Sequence, residues 1–195
     1  EFRRVLFRSA GVAVENDSFT AESSIGQVPM NNIIGRIPGR SDRIFVIATH
    51  YDTKLVKDFR FVGANDGGSG TALLLALAPL LARKSFNHEV RLVFLDGEES
   101  IPWDWDESQS LYGSRHLAAK WAGDGTAKRI GAFILLDMIG DADLGIVKES
   151  NSTAWLREQI WTAARSLGYA KSFLDQEMAI ADEDRKSTRL NSSHT

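Results

Sequence analysis

Cysteine is absent from all 195 residues of this chain. Disulfides, thiolate metal sites and thiol nucleophiles are therefore excluded, and the redox compartment stays open. Long hydrophobic runs are missing too. The most apolar stretch, TALLLALAPLLA from Thr71 to Ala82, falls short of the roughly 20 residues that a helix needs to span a bilayer. No secretory leader is visible at the start, where a native N-terminus is expected to be missing. Neither an internal repeat nor a heptad seam occurs. What remains is ordinary for a soluble globular protein, 43% hydrophobic and 25% charged residues, in a chain long enough for one domain with its own core.

The two ends, EFRRVLFRS and DRKSTRLNSSHT, resemble translated sequencing-adaptor sequence. Residues 1–9 and 185–195 are accordingly expected to be non-native, leaving a single domain over 10–184; a disordered basic tail at each end is the alternative. Without those residues the chain loses six Lys/Arg and one Glu and is left with 17 basic against 25 acidic side chains. A basic stripe, the footprint of nucleic-acid binding, is thus lacking, and no nucleic-acid partner is expected.

Residues 12–40 hold short β-like pieces broken by Gly26, Pro29, Pro38 and Gly39, which read as a hairpin or meander leading to the first central strand. Ile44 to Ala48 is a β-branched run suited to a buried parallel strand. A loop at 53–64 precedes a nearly all-apolar helix at 67–83. Asn87 and His88 mark a turn before the strand Val90 to Leu95. A Trp- and acid-rich loop, a helix from about Gly113 to Trp121 and a strand from Phe133 to Leu136 follow. Residues 152–167 carry helical spacing that Gly168 stops. Strands alternating with helices predict an α/β fold with a mostly parallel central sheet flanked by helices.

Three apolar runs, IFVIATHYD, VRLVFLDGEE and FILLDMIGD, end in metal-ligand or acid/base side chains. In an open α/β sheet, functional groups collect beyond the carboxyl ends of the strands. Those ends deliver His50 and Asp52, Glu98 and Glu99, and Asp137, while Asp66 lies in GANDGGSG before the apolar helix. One His among several carboxylates suits zinc. Each residue also has a plainer reading. In HYD, His50 can ligate with Asp52 orienting it, or make ordinary loop hydrogen bonds. Asp66 can be an N-cap, and Asp137 a turn residue. Adjacent acids such as Glu98 and Glu99 repel, which a cation or a shared proton relieves; one can ligate while the other moves protons, or both can be solvated. Trp103 and Trp105 flank an acidic loop, where they line a pocket or join the core. His88 reads as a turn residue, His116 as a helix residue that hydrogen-bonds, and His194 falls in the foreign end.

HYDTK, FVGANDGGSG, FLDGEE, SLYGSRHLA and LLDMIG, in this order, resemble the zinc-dependent exopeptidase family that contains bacterial aminopeptidases and glutaminyl cyclases. The resemblance is good over about residues 30–140 and weak in the flanks to about 182. It implies a C-terminally truncated α/β fold of that family, a peptide substrate with a free N-terminus and an extracellular or periplasmic location. By this resemblance Asp66 corresponds to a bridging metal ligand, Glu98 to a proton shuttle and Glu99 to a ligand, with His50 and Asp137 as further ligands. A last ligand His of the family has no counterpart, because AIADED runs into RKSTRLNSSH; the fragment alone is expected to be inactive.

The segment SIPWDWDESQS resembles the cyclase version of the loop after the EE pair. The cyclase reading implies one zinc, with Glu98 moving protons as N-terminal glutamine closes to pyroglutamate, Asp137 in the acid network and Trp105 walling the pocket. The aminopeptidase reading implies two zincs, His50 and Asp137 on one, Glu99 on the other and Asp66 between, with Glu98 activating water. An inactive peptide-binding α/β domain is the non-enzymatic alternative.

Overall fold

A computed structural model describes residues 12–179 and 189–191; residues 1–9 and most of 185–195, which the sequence sets apart, lie outside them. β1 (Ala13–Ser23) and β2 (Gly26–Ile37) form one long antiparallel hairpin. Gly26 marks the hairpin turn and Pro38 and Gly39 follow the end of β2, as expected, but Pro29 does not break the strand. Pro29 pairs with Thr20, in a stretch of β2 beyond the Ile33–Ile37 segment that pairs with the neighbouring strand on the other side. A residue lacking an N–H is tolerated there.

β3 (Ile44–His50), β4 (Glu89–Leu95) and β5 (Ile130–Asp137) are the centre of a six-stranded sheet of order β1-β2-β4-β3-β5-β8, with β8 at Arg189–Asn191. β3 runs parallel to both β4 and β5. β2 and β8 pair antiparallel at the margins. The α/β architecture with flanking helices is as expected, but within this sheet parallel pairing is confined to the three central strands. The short link at 38–43 starts β3 near the edge where β2 ends, so β2 must run the other way; a parallel pair needs a crossover of a dozen or more residues.

Two helices supply those crossovers. α1 (Gly68–Ala82) lies between β3 and β4, and α2 (Tyr112–Gly123) between β4 and β5. They cover opposite faces, as the alternation along β4 requires. Leu92 and Phe94 pack with Leu74 and Ala78 of α1. Val93 and Leu95 pack with Leu117 and Trp121 of α2. All seven residues of β4 are buried. A third cluster joins Ala21 and Met30 of the hairpin to Tyr112, with Ile101 against it.

β6 (Ile146–Glu149), α3 (Ala154–Ser166) and β7 (Phe173–Met178) form a separate two-stranded parallel unit. Trp161 of α3 is its buried centre, donating its indole N–H to the Leu174 carbonyl at 2.8 Å. Among the described residues no helix is long and apolar enough to cross a membrane.

Connections leaving β3 and β4 diverge to opposite faces, which opens a crevice beyond their carboxyl ends. That is the place where open α/β sheets bind ligands.

Candidate metal centre

His50, the last residue of β3, is 1% exposed. Its Nε2 lies 3.0 Å from Asp66 Oδ1 and 3.2 Å from Asp137 Oδ1. Its Nδ1 faces Asp52 Oδ1 at 3.6 Å and Glu98 Oε2 at 3.9 Å and makes no hydrogen bond. Four carboxylates thus surround one buried imidazole: Asp52 and Asp66 from the connection after β3, Glu98 from the loop after β4, and Asp137 from the end of β5.

Local backbone chemistry places each of them. Asp66 precedes α1, but it does not cap the helix: the N-cap is Gly67, with no side-chain hydrogen bond. The capping explanation for this acid therefore fails, and its carboxylate points to His50 instead. Gly67 has φ +77, and a Cβ there would come within 2.6 Å of the Asp52 carbonyl; only glycine takes that turn at low cost. Gly70 lets the first turn of α1 press on the sheet, since a Cβ would meet Thr49 Oγ1 at 2.1 Å and the Leu136 carbonyl at 3.0 Å. The loop after β5 is tied to the same motif. Ser69 Oγ accepts from the Ile139 N–H at 3.0 Å, and Asn65 Oδ1 from the Gly140 N–H at 2.7 Å. Met138, directly after Asp137, takes a left-handed φ of 49, a strained turn that sends the chain back toward this loop.

Asp52 acts through the backbone as well as through His50. Its two oxygens accept the Glu98 and Glu99 N–H groups, each at 3.0 Å. Burial alone would raise its pKa, but the nearby charge of His50 and the bonds from these amides hold it below the usual carboxylate range. The EE pair is thereby clamped to the end of β3. Glu98 turns toward His50, whereas Glu99 is buried with its Oε2 4.0 Å from Lys54 Nζ. Tyr51 braces the other side, its hydroxyl lying within hydrogen-bond distance of two acceptors, the Asn31 carbonyl at 2.8 Å and Asp96 Oδ2 at 3.0 Å. The bracing by Asp96, Asn65 and Ser69 was not foreseen from sequence, although all three lie within the motifs DGEE and ANDGGS.

Burial pushes Glu98 up to about 8, against the opposing charge of His50 and helped by Asp137, Glu99 and Asp52. For His50, burial alone would lower the pKa, but contacts with Asp137, Asp52 and Asp66 override it and the imidazolium is strongly favoured. One Nε2 proton cannot serve two carboxylate oxygens at once. A cation can. The ligand atoms of His50, Asp66 and Asp137 lie within 4.8 Å of one another, close enough to contract onto an ion with bonds of about 2.0–2.2 Å. One imidazole and two carboxylates, with the second ring nitrogen turned to Asp52, form a donor set that fits zinc.

Glu99 lies outside this trio. Trp105 is half-buried, while Trp103 is 73% exposed. The other described histidines hydrogen-bond as expected: His88 Nδ1 with Ser41 Oγ at 2.9 Å, and His116 Nε2 with Asp17 Oδ1 at 3.3 Å. His194 lies outside the described residues.

The sequence profile of Peptidase family M28 matches residues 32–189. The chain belongs to that family. A Drosophila melanogaster glutaminyl-peptide cyclotransferase is 37% identical over 136 residues, covering 67% of this chain and 38% of the relative. A Bos taurus glutaminyl-peptide cyclotransferase-like protein is 37% identical over 147 residues, with 68% and 38% covered. The chain therefore spans well under half the length of these curated relatives. The crystal structure of an Acidobacteriales bacterium glutaminyl cyclase superposes with a TM-score of 0.85 at 45% identity, over 92% of this chain and 62% of that one. A Zn-dependent exopeptidase from Parabacteroides distasonis shares the fold, with a TM-score of 0.80 at 23% identity over 97% and 73% of the two chains.

Proposed function

We propose that the protein containing this chain is a zinc-dependent glutaminyl-peptide cyclotransferase, closing an N-terminal glutamine to pyroglutamate with release of ammonia. The observation that carries this reading is Glu98, held against the His50–Asp66–Asp137 trio with its pKa pushed up to about 8. A carboxyl group poised there exchanges a proton near neutral pH, and the charge of a bound cation would draw it lower still. Glu98 takes a proton from the substrate α-amine as that nitrogen bonds to the side-chain amide carbon. It then returns a proton to the departing amide nitrogen, which leaves as ammonia. The neighbouring Asp137 carboxylate disfavours a second negative charge on Glu98, which favours keeping the proton on Glu98 between the two transfers. Asp52 fixes the Glu98 backbone and faces His50.

Zinc, when bound, supplies Lewis-acid polarisation of the glutamine side-chain carbonyl. His50, Asp66 and Asp137 form one position complete within these residues. The family resemblance offers a second, built on Asp66 and Glu99, in which Asp137 serves the acid network and one ion suffices. Similarity to the Acidobacteriales glutaminyl cyclase over 92% of the chain supports cyclisation, and the glutaminyl-peptide cyclotransferase relatives support a peptide substrate; an extracellular or periplasmic setting rests on the family resemblance alone. Trp105, on the loop after the EE pair, is the residue proposed to wall the substrate pocket.

Hydrolysis of the N-terminal residue is the second reading. The trio His50, Asp66 and Asp137 is the set that the aminopeptidase arrangement assigns to one of its two zincs, which favours it. Glu98→Gln in protein from the full reading frame tests the assignment of the proton carrier. Turnover should fall by about two to four orders of magnitude with zinc content unchanged; full activity in that variant would overturn it.

A further inference from the structure

On the loops that follow Asp52 and Glu98 in the chain lies a cleft of about 500 Å³, its apolar lining from Ile25, Leu55, Phe59, Ile101 and Trp103 and its charged lining from Lys57 and Asp58. Several of these side chains are strongly exposed, Trp103 by 73% and Phe59 by 58%. Large apolar groups gathered on one rim of a site are a feature of ligand-binding surfaces.

The cleft is built from three segments that hydrogen bonds lace together. Lys54 Nζ donates to the Ser100 carbonyl at 2.7 Å, joining the loop that carries Leu55 to the one that carries Ile101 and Trp103. The Ser24 N–H donates to Gln109 Oε1 at 2.7 Å, joining the hairpin turn to the far end of the Trp loop, and the Ile101 N–H donates to the Gln109 carbonyl at 2.9 Å. Ser100 Oγ closes that loop on itself, donating to the Asp104 carbonyl at 3.2 Å and accepting from the Asp106 N–H at 3.0 Å. The segments that carry Ile25, Leu55, Ile101 and Trp103 are therefore tied together, and Phe59 lies on the continuation of the Leu55 loop.

Two of these segments are continuous with the catalytic groups. Ile101 is three residues beyond Glu98, and Leu55 three beyond Asp52. Three residues of chain reach at most about 10–11 Å. A peptide whose first residue lies at Glu98 and extends outward at the same pitch passes the cleft with its second to fourth residues.

Resting on the proposed action at a peptide N-terminus, we infer that this cleft is a specificity subsite for an apolar or aromatic side chain at the second to fourth position of the substrate. Trp103 and Phe59 grip that side chain, and Lys57 and Asp58 lie where the peptide leaves the cleft. The ligand class is thus a peptide with a free N-terminal glutamine followed within three residues by Phe, Leu or a similar side chain.

The test uses zinc-loaded protein from the full reading frame and the peptides Gln-Ala-Ala-Ala, Gln-Phe-Ala-Ala, Gln-Ala-Phe-Ala and Gln-Ala-Ala-Phe. The quantity read is the ratio of kcat/KM for each Phe peptide to that of the all-Ala peptide, from ammonia release. One Phe position should give a ratio of about ten or more, and Trp103→Ala or Phe59→Ala should bring it down toward one. Equal ratios at all positions in the wild type would overturn the subsite. So would variants that slow every peptide alike with the ratio kept, or variants that change only the oligomeric state in sedimentation, which would mark the cleft as a contact between copies. If no glutaminyl peptide releases ammonia, the cyclase reading fails separately. The same Phe scan on Leu-initiated peptides, read as free leucine, then decides the subsite: a Phe preference abolished by Trp103→Ala upholds it, and its absence overturns it.

Discussion

At the scale of single residues, the decisive fact is that His50 Nε2 faces two carboxylate oxygens, 3.0 and 3.2 Å away, with one proton to offer. Zinc binding by the 195-residue chain should therefore depend on this trio. His50→Ala and Asp137→Asn should each weaken it by about tenfold or more in a competition titration, since losing a ligand sacrifices much of the coupling between metal and fold; unchanged affinity in both would remove the trio as the site. Glu98 makes a second prediction, for metal-free protein. Its pKa in the fold, about 8, lies above the ordinary glutamate value of 4.5. The folded state therefore binds more protons between those values, and stability falls as pH rises from about 4.5 to about 8, by on the order of a few kcal/mol. His50, also raised, adds a loss in the same direction above about 6.5. Glu98→Gln should remove the first part and leave the second, so thermal melts from pH 5 to 8 in chelator should flatten in the variant. A parallel fall in both proteins would contradict the raised pKa. His50, Asp66 and Asp137 were legible because each ends an apolar run or opens an apolar helix. The double clamp of Asp52 on the Glu98 and Glu99 amides was not, because it depends on how close the ends of β3 and β4 come in space.

At the scale of elements, the site depends on how tightly α1 seats on β3 and β5. Gly70 sets that distance, with Thr49 Oγ1 and the Leu136 carbonyl in the space a Cβ would take. Gly70→Val should cost about 2–3 kcal/mol and lower Tm by roughly 5–10 °C. It should also weaken zinc binding, because Asp66 and Asp137 flank the displaced contact. A variant with normal Tm and normal zinc affinity would show that the helix seats elsewhere. The central strands and all three described α-helices could be read from apolar runs and helical spacing to within a few residues. β6 and β7 could not: β6 has only four residues, and β7 buries none of FLDQEM fully, so neither shows a period-2 pattern. The hairpin was under-read for a different reason. Pro29 looks like a break, and only the three-dimensional pairing reveals that its side of β2 has no β4 ladder bond to lose.

At the scale of the whole molecule, function follows from topology. Because α1 and α2 leave β3 and β4 for opposite faces, the ends of the three central strands share one crevice, and residues far apart in sequence meet at one buried imidazole. The α/β class and the gathering of acids at one sheet edge were visible in the order of the motifs. The mixed pairing of the sheet was not, since strand direction is set by where a short connection re-enters the sheet and not by side-chain pattern. The most direct test of zinc-dependent cyclisation is mass spectrometry of Gln-Ala-Phe-Ala incubated with protein from the full reading frame, as prepared, after chelation and after zinc is restored. Cyclisation predicts a product lighter by one ammonia with every residue retained, lost on chelation, regained with zinc and absent in Glu98→Gln. Release of free glutamine and the tripeptide Ala-Phe-Ala would contradict it in favour of hydrolysis, and an unchanged peptide under all conditions would contradict both and leave a binding domain.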